Sequence, residues 1–114
     1  MTGFPSTPPV SAQEIAGAAR LVLHCWAAWN AIDRVFDEQL QPLCKKFLAD
    51  ATFRSCDIDD PLFFSTLREW RILNVPALIL IERGRVIDVS HGLRPNIGLE
   101  SILTRWLTER PHHR

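Results

Sequence analysis

Apolar residues recur along the chain with two different periods, and the switches between them mark its elements. Leu21 to Trp26 is apolar on both faces, the pattern of a central parallel strand covered on each side. From Asn30 onward Ile32, Val35, Phe36, Leu40, Leu43 and Phe47 recur at helical spacing, which leaves Asp33, Arg34, Asp37, Glu38, Gln41 and Lys45 for the outer face of an amphipathic helix. Pro42 falls inside that helix, where it removes one backbone bond and crowds the preceding turn, so a kink is expected there. Thr52 to Ile58 reads as a strand, and Leu62, Phe63, Leu67 and Trp70 as the buried side of a helix. Ala77 to Ile81 and Val86 to Ser90, joined by Glu82-Arg83-Gly84-Arg85, make an antiparallel hairpin. Leu99, Ile102, Leu103 and Trp106 form the inner stripe of a last helix.

The polar residues between these runs supply the starts of the helices. Ser11-Ala12-Gln13-Glu14 carries a capping box for a short helix reaching about Ala19. Asn30 stands at the N-cap of the long helix, and Asp33, three residues on, adds negative charge to the first turn, so the pair reads as an Asn-x-x-Asp relative of the capping box. The run Asp57-Ile58-Asp59-Asp60-Pro61 invites comparison with a metal cluster. A carboxylate before a proline at the first helical position is also a helix start, and no glycine-bearing calcium loop follows, so capping is the reading adopted and no metal ligand is assigned. Residues 1–10 hold three of the eight prolines and a glycine, which predicts a flexible or extended N-terminal arm. The organisation expected is that arm, one domain over residues 11–108, and a flexible C-terminal tail over 109–114 that contains His112 and His113.

Charge and composition narrow the function classes. A chain of 114 residues with zero formal net charge is long enough for one core and lacks the electrostatic footprint of a nucleic-acid or anionic-membrane binder. No apolar run approaches a membrane span and the first residues carry no signal-like core, so a cytoplasmic location is expected. Cys25, Cys44 and Cys56 are odd in number and show neither Cys-x-x-Cys nor zinc-ligand spacing, which suits reduced, buried thiols and implies no cofactor.

Three segments together resemble the thioredoxin family. Trp29-Asn30-Ala31-Ile32-Asp33 is similar to its active-site motif Trp-Cys-Gly-Pro-Cys with both cysteines replaced. Leu21-Val22-Leu23-His24-Cys25-Trp26-Ala27-Ala28-Trp29 resembles its second strand running into Trp-Ala-x-Trp, and Asn74-Val75-Pro76-Ala77-Leu78-Ile79-Leu80 resembles its Ile-Pro-Thr loop and following strand. The resemblance runs from about Ser11 to Leu107 and is gapless from Trp29 to Asp59. It implies an α/β thioredoxin fold with a mixed central sheet, flanking helices and a C-terminal antiparallel hairpin. The family's first strand is hard to see in the arm, and its helix proline falls at the position of Glu38, so the bend is expected to be displaced. A second resemblance, carried by Leu23-His24, Leu40 to Leu48 and the stretch from Pro61-Leu62-Phe63 to Pro76, is to the thioredoxin domain of phosducin-like proteins, redox-inactive chaperonin cofactors whose flanking helices are absent here.

The departures from the family carry the functional expectation. Thiol-disulfide exchange needs a thiolate nucleophile and a second sulfur, and an Asn amide with an Asp carboxylate supplies neither. Asn30 and Asp33 are thus degenerate active-site positions, and no catalytic residue is assigned. The family's buried Asp, proton acceptor for the resolving cysteine, maps to His24, and the Lys partnering it maps to Ser55. His24 is expected to be a neutral core imidazole with one hydrogen bond, Ser55 being the candidate partner. Cys25 and Cys56 map to neighbouring strands, which leaves a shared face open to a disulfide or metal role. In the family the proline before the third strand is cis, and its predecessor's backbone pairs with an extended substrate beside a tryptophan and a glycine; Trp29, Val75, Pro76 and Gly92 stand at those places. The resemblance therefore implies a redox-inactive, chaperone-like module that binds a protein or extended peptide. The alternative is a thiol-disulfide or glutathione-dependent oxidoreductase using a non-motif cysteine.

Overall fold

The computed structural model describes residues 3–72, 74–93 and 96–109. Its strands are β1 (Leu21–Trp26), β2 (Thr52–Asp57), β3 (Ala77–Glu82) and β4 (Arg85–His91), assembled in the order β2-β1-β3-β4. β1 runs parallel to β2 and antiparallel to β3, which pairs antiparallel with β4, so the sheet is mixed. Helices α2 (Ile32–Lys46) and α4 (Asn96–Thr104) supply the core on one face, where Phe36, Leu40, Leu99 and Leu103 meet Val22, Leu78 and Leu80. On the other face Leu21, Leu23, Cys25, Ile79 and Ile81 meet Phe63 and Leu67, the latter from α3 (Phe64–Glu69). β1 and β3 are buried on both sides, which is why their sequences show no alternation.

Local chemistry starts and turns these elements as the sequence predicts. α1 (Ala12–Gly17) opens on a complete capping box, Glu14 N–H donating to Ser11 Oγ at 3.1 Å and Ser11 N–H to Glu14 Oε1 at 3.0 Å. The other oxygen of Glu14 accepts from Arg54 Nε at 2.8 Å and ties α1 to β2. A 3₁₀ turn at Pro61–Phe63 starts with Leu62 N–H on Asp60 Oδ1, 3.0 Å. The hairpin closes through Arg83 and Gly84 at φ of 50° and 85°, the left-handed pair a two-residue turn demands. α2 continues through Pro42 to Lys46, and Pro42 is exposed, so the carbonyl it leaves without a helical donor belongs to the solvent side. Beyond α4 a π-helical turn, Arg105–Glu109, carries Trp106 into the core, its Nε1–H on Asp88 Oδ2 at 3.0 Å. His112 and His113 lie outside the described residues.

Two expectations are corrected. The first turns of α2 bury the opposite face from the one the apolar spacing selects: Ile32 and Val35 are 48% and 45% exposed, whereas Asp33 and Asp37 are fully buried or nearly so. Partners from outside the helix explain it, since a buried carboxylate is tolerable when its oxygens accept several hydrogen bonds. Asp37 accepts Ser6 N–H and Ser6 Oγ–H at 3.0 Å each, and Gln41 Nε2–H at 3.4 Å. The second concerns the flexibility of the arm: residues 3–10 bend through Phe4 to Thr7 and are hydrogen-bonded to the domain. Val10 N–H donates to Ser55 O and Ser55 N–H to Pro8 O, both at 2.8 Å, giving a parallel bridge at the outer edge of β2. Prolines lack donors but keep their carbonyls, so the arm holds the edge of the sheet through one bridge where a proline-free strand would form a longer ladder.

Asp37 therefore anchors the arm to α2. Replacing it by alanine strands the Ser6 amide, and a loss of about 1–3 kcal/mol in urea unfolding is expected, with faster proteolysis of the arm. An unchanged midpoint and cleavage rate would contradict this anchoring.

Candidate functional site

The chain leaves β1 at Trp26, turns through Ala27 to Ala31 and enters α2, so the tryptophan, asparagine and aspartate of the altered motif fall at one end of the sheet. Each points differently. Trp29 is 70% exposed, and its indole Nε1–H donates to Asp59 Oδ2 at 3.1 Å, which fixes the ring against the loop after β2. Asn30 is half-buried: its Oδ1 accepts Ile32 N–H at 3.2 Å, and its Nδ2–H donates to Val75 O at 3.0 Å. The N-cap of α2 is Ala31, without a side-chain cap bond, so Asn30 stands one residue before the expected place; its Oδ1 closes a turn onto Ile32 N–H and its Nδ2 holds the Val75 loop.

Asp33 is not the exposed first-turn charge that the spacing implies. Its side chain lies inside, 0% exposed, with Oδ1 3.0 Å from His24 Nε2 and Oδ2 accepting Ala27 N–H at 3.1 Å. The reciprocal box with Asn30 does not form, because Asp33 accepts an amide upstream of the cap. A carboxylate only accepts, so Nε2 of His24 carries the hydrogen. Ser55, the candidate partner of His24, is its register neighbour on β2 but turns its hydroxyl to Thr7 O at 3.0 Å. The His24 ring lies against Phe36, with centroids 4.7 Å apart. The signal for this contact was in the resemblance: His24 and Asp33 occupy two positions that the family keeps together for proton transfer.

Val75 and Pro76 are joined by a cis bond, and Pro76 O accepts Gly92 N–H at 2.8 Å, so the loop before β3 and the end of β4 are knit together. Gly92 sits at φ of 85°, and among the described residues, its chain neighbours aside, nothing lies within 4 Å of where a Cβ would project. Leu93 beside it is 45% exposed. The structure thus gathers Trp29, Asn30, Val75, Pro76 and Gly92 around one surface and removes Asp33 from it. Val75 is half-buried and Pro76 buried, and both carbonyls accept bonds from within the chain, Val75 O from Asn30 and Pro76 O from Gly92. The asparates of the next loop act as backbone acceptors, Asp57 Oδ1 for Asp59 N–H at 2.9 Å and Asp60 for Leu62 N–H. A groove of about 780 Å³ between the arm and α2, lined by Thr7, Cys44, Leu48 and Phe53 among others, contains none of these residues.

The cysteines lie elsewhere. Cys25 and Cys56 are direct partners in the parallel ladder, both buried and free. A hydrogen bond with Cys56 and burial hold the Cys25 thiol well above its ordinary range, and burial with the nearby Asp37 charge pushes Cys44 up to about 12. Neither Cys25 nor Cys44 presents a ready thiolate, and Cys56 is buried.

Two predictions follow from this geometry. Asp33→Ala leaves His24 Nε2–H and Ala27 N–H without acceptors and is expected to cost about 3–5 kcal/mol in denaturant unfolding, with Asp33→Asn costing less; equal, negligible effects would contradict the buried contact. Native protein at neutral pH is expected to react with a disulfide reagent only slowly, with all three thiols released on denaturation. The raised Cys44 value contributes stability that is complete below the unfolded thiol value near 9.0 and is lost as pH climbs towards about 12. A fast-reacting native thiol would contradict the assignment.

No protein-family model and no curated protein matches the chain. Among solved structures it is similar to mitochondrial thioredoxin 3 from Saccharomyces cerevisiae in its oxidised form, with a TM-score of 0.73 and 20% identity over 87% of this chain and 94% of that one. Among the described residues no helix is long and apolar enough to cross a membrane. The architecture is the thioredoxin fold.

Proposed function

We propose that this protein is a redox-inactive thioredoxin-fold module that binds an extended segment of a partner protein across Trp29, Val75, Pro76 and Gly92. The observation that carries the reading is Trp29: a large aromatic, 70% exposed, yet held in one orientation by its bond to Asp59. An isolated exposed tryptophan gains nothing for the fold, while an oriented one beside backbone groups and an open glycine suits strand-like docking. Ile32 and Leu93 extend the apolar area on either side. Exchange chemistry is disfavoured because Asn30 and Asp33 replace the sulfurs, Asp33 is buried against His24, and the Cys25 and Cys44 thiols are held in the protonated form. The same facts disfavour an oxidoreductase working through a non-motif cysteine. Unpaired, buried thiols suit a reducing compartment such as the cytoplasm.

The test has two arms. Insulin reduction by dithiothreitol is expected to proceed at its uncatalysed rate in the presence of the protein. Turnover abolished by Cys25→Ser, Cys44→Ser or Cys56→Ser would overturn the redox-inactive reading. Trp29→Ala is expected to leave the unfolding midpoint nearly unchanged and to abolish peptide binding; full retention of binding would place the interaction on another surface.

A further inference from the structure

The loop after β2 places three carboxylates in four residues at the edge of the exposed indole. Asp59 bonds the indole N–H directly, and Asp57 and Asp60 flank it. Among the described residues no ion pair reaches any of the three. Their structural duties are to accept Asp59 N–H, the Trp29 indole N–H and Leu62 N–H, and each requires an oxygen, not a charge. Asparagine serves as well as aspartate at a helix start, and the favourable helix dipole accounts for Asp60 alone. Three like charges so close repel one another, so the fold gains nothing from keeping all three ionised. Arg34, a nearby cation on α2, is turned away, its guanidinium 4.6 Å from the centre of the Phe4 ring.

Resting on the docking reading above, we propose that the segment bound beside Trp29 carries a basic residue, arginine above lysine, next to the apolar residue that packs on the indole. A guanidinium stacks on an exposed aromatic face and pairs with carboxylates at its edge, and this site offers both within one side-chain length. A chain paired along Val75 passes that edge, because Asn30 links the Trp29 turn to the Val75 carbonyl. The acidic loop selects the partner by sign: a basic segment is steered and held, and an acidic one is repelled.

Selection from a display library of random peptides, run on the wild-type protein with counter-selection on Trp29→Ala, tests this directly. The comparison variant is Asp57→Asn/Asp59→Asn/Asp60→Asn, which keeps every acceptor oxygen and removes the charge; its fold is checked by circular dichroism. The expected result is enrichment of peptides bearing Arg or Lys beside an apolar residue, with affinity on the order of tenfold weaker for the triple variant and falling as salt rises. Peptides that require Trp29 but show no basic preference, or bind the triple variant equally, overturn the charge assignment and leave the docking reading intact. Failure to enrich any peptide that distinguishes wild type from Trp29→Ala overturns both.

Discussion

The contact between His24 and Asp33 sets the shape of everything around the altered motif. One residue sits in the middle of β1, which is buried on both faces, and the other in the first turn of the longest described helix, and both are fully buried. A carboxylate there is tolerable only with hydrogen-bond donors on its oxygens, so the imidazole and the Ala27 amide fix where α2 begins and which way it faces. With Asp33 turned inward, Ile32 and Val35 turn outward and Trp29 is left on the surface. Asp37, one turn on, repeats the device with Ser6 and draws the arm onto the helix.

The strands and helix limits were legible because apolar burial repeats with the period of each element. Leu21 to Trp26 and Ala77 to Glu82 are continuous apolar runs and lie in the middle of the sheet; Ser11-Glu14 and Asp60-Pro61 mark their helix starts with specific hydrogen bonds. The facing of α2's first turns was not legible from spacing, since periodicity assigns every aspartate to solvent and takes no account of a donor in another element. Ser6, Ala27 and His24 are such donors, and only tertiary structure brings them to Asp33 and Asp37. A polar residue at the centre of an otherwise apolar strand, as His24 is, requires a partner, and its place in the family pattern pointed to position 33 more than to Ser55. The arm's attachment was not legible from its composition, because a proline lacks a donor but keeps its carbonyl, and Pro8 offers that carbonyl to Ser55.

In the proposed reading this end of the sheet serves as a docking surface. Asn30 links the two segments, since one amide accepts Ile32 N–H in the turn before α2 and donates to the Val75 carbonyl, so the loop before Pro76 keeps its place without a sulfur. The carboxylates after β2 orient the indole and give that edge its sign. These hydrogen bonds hold the helix entry and the loop together without a sulfur, while Cys25 and Cys56 are buried and Cys44 is half-buried.

The most direct measurement of this account is a long-range proton-nitrogen correlation spectrum of the histidine rings. It predicts a slowly exchanging hydrogen on Nε2 of His24, bonded to Asp33 Oδ1. A His24 ring bearing its only hydrogen on Nδ1, or exchanging as fast as an exposed histidine, would contradict the buried contact on which the site is built.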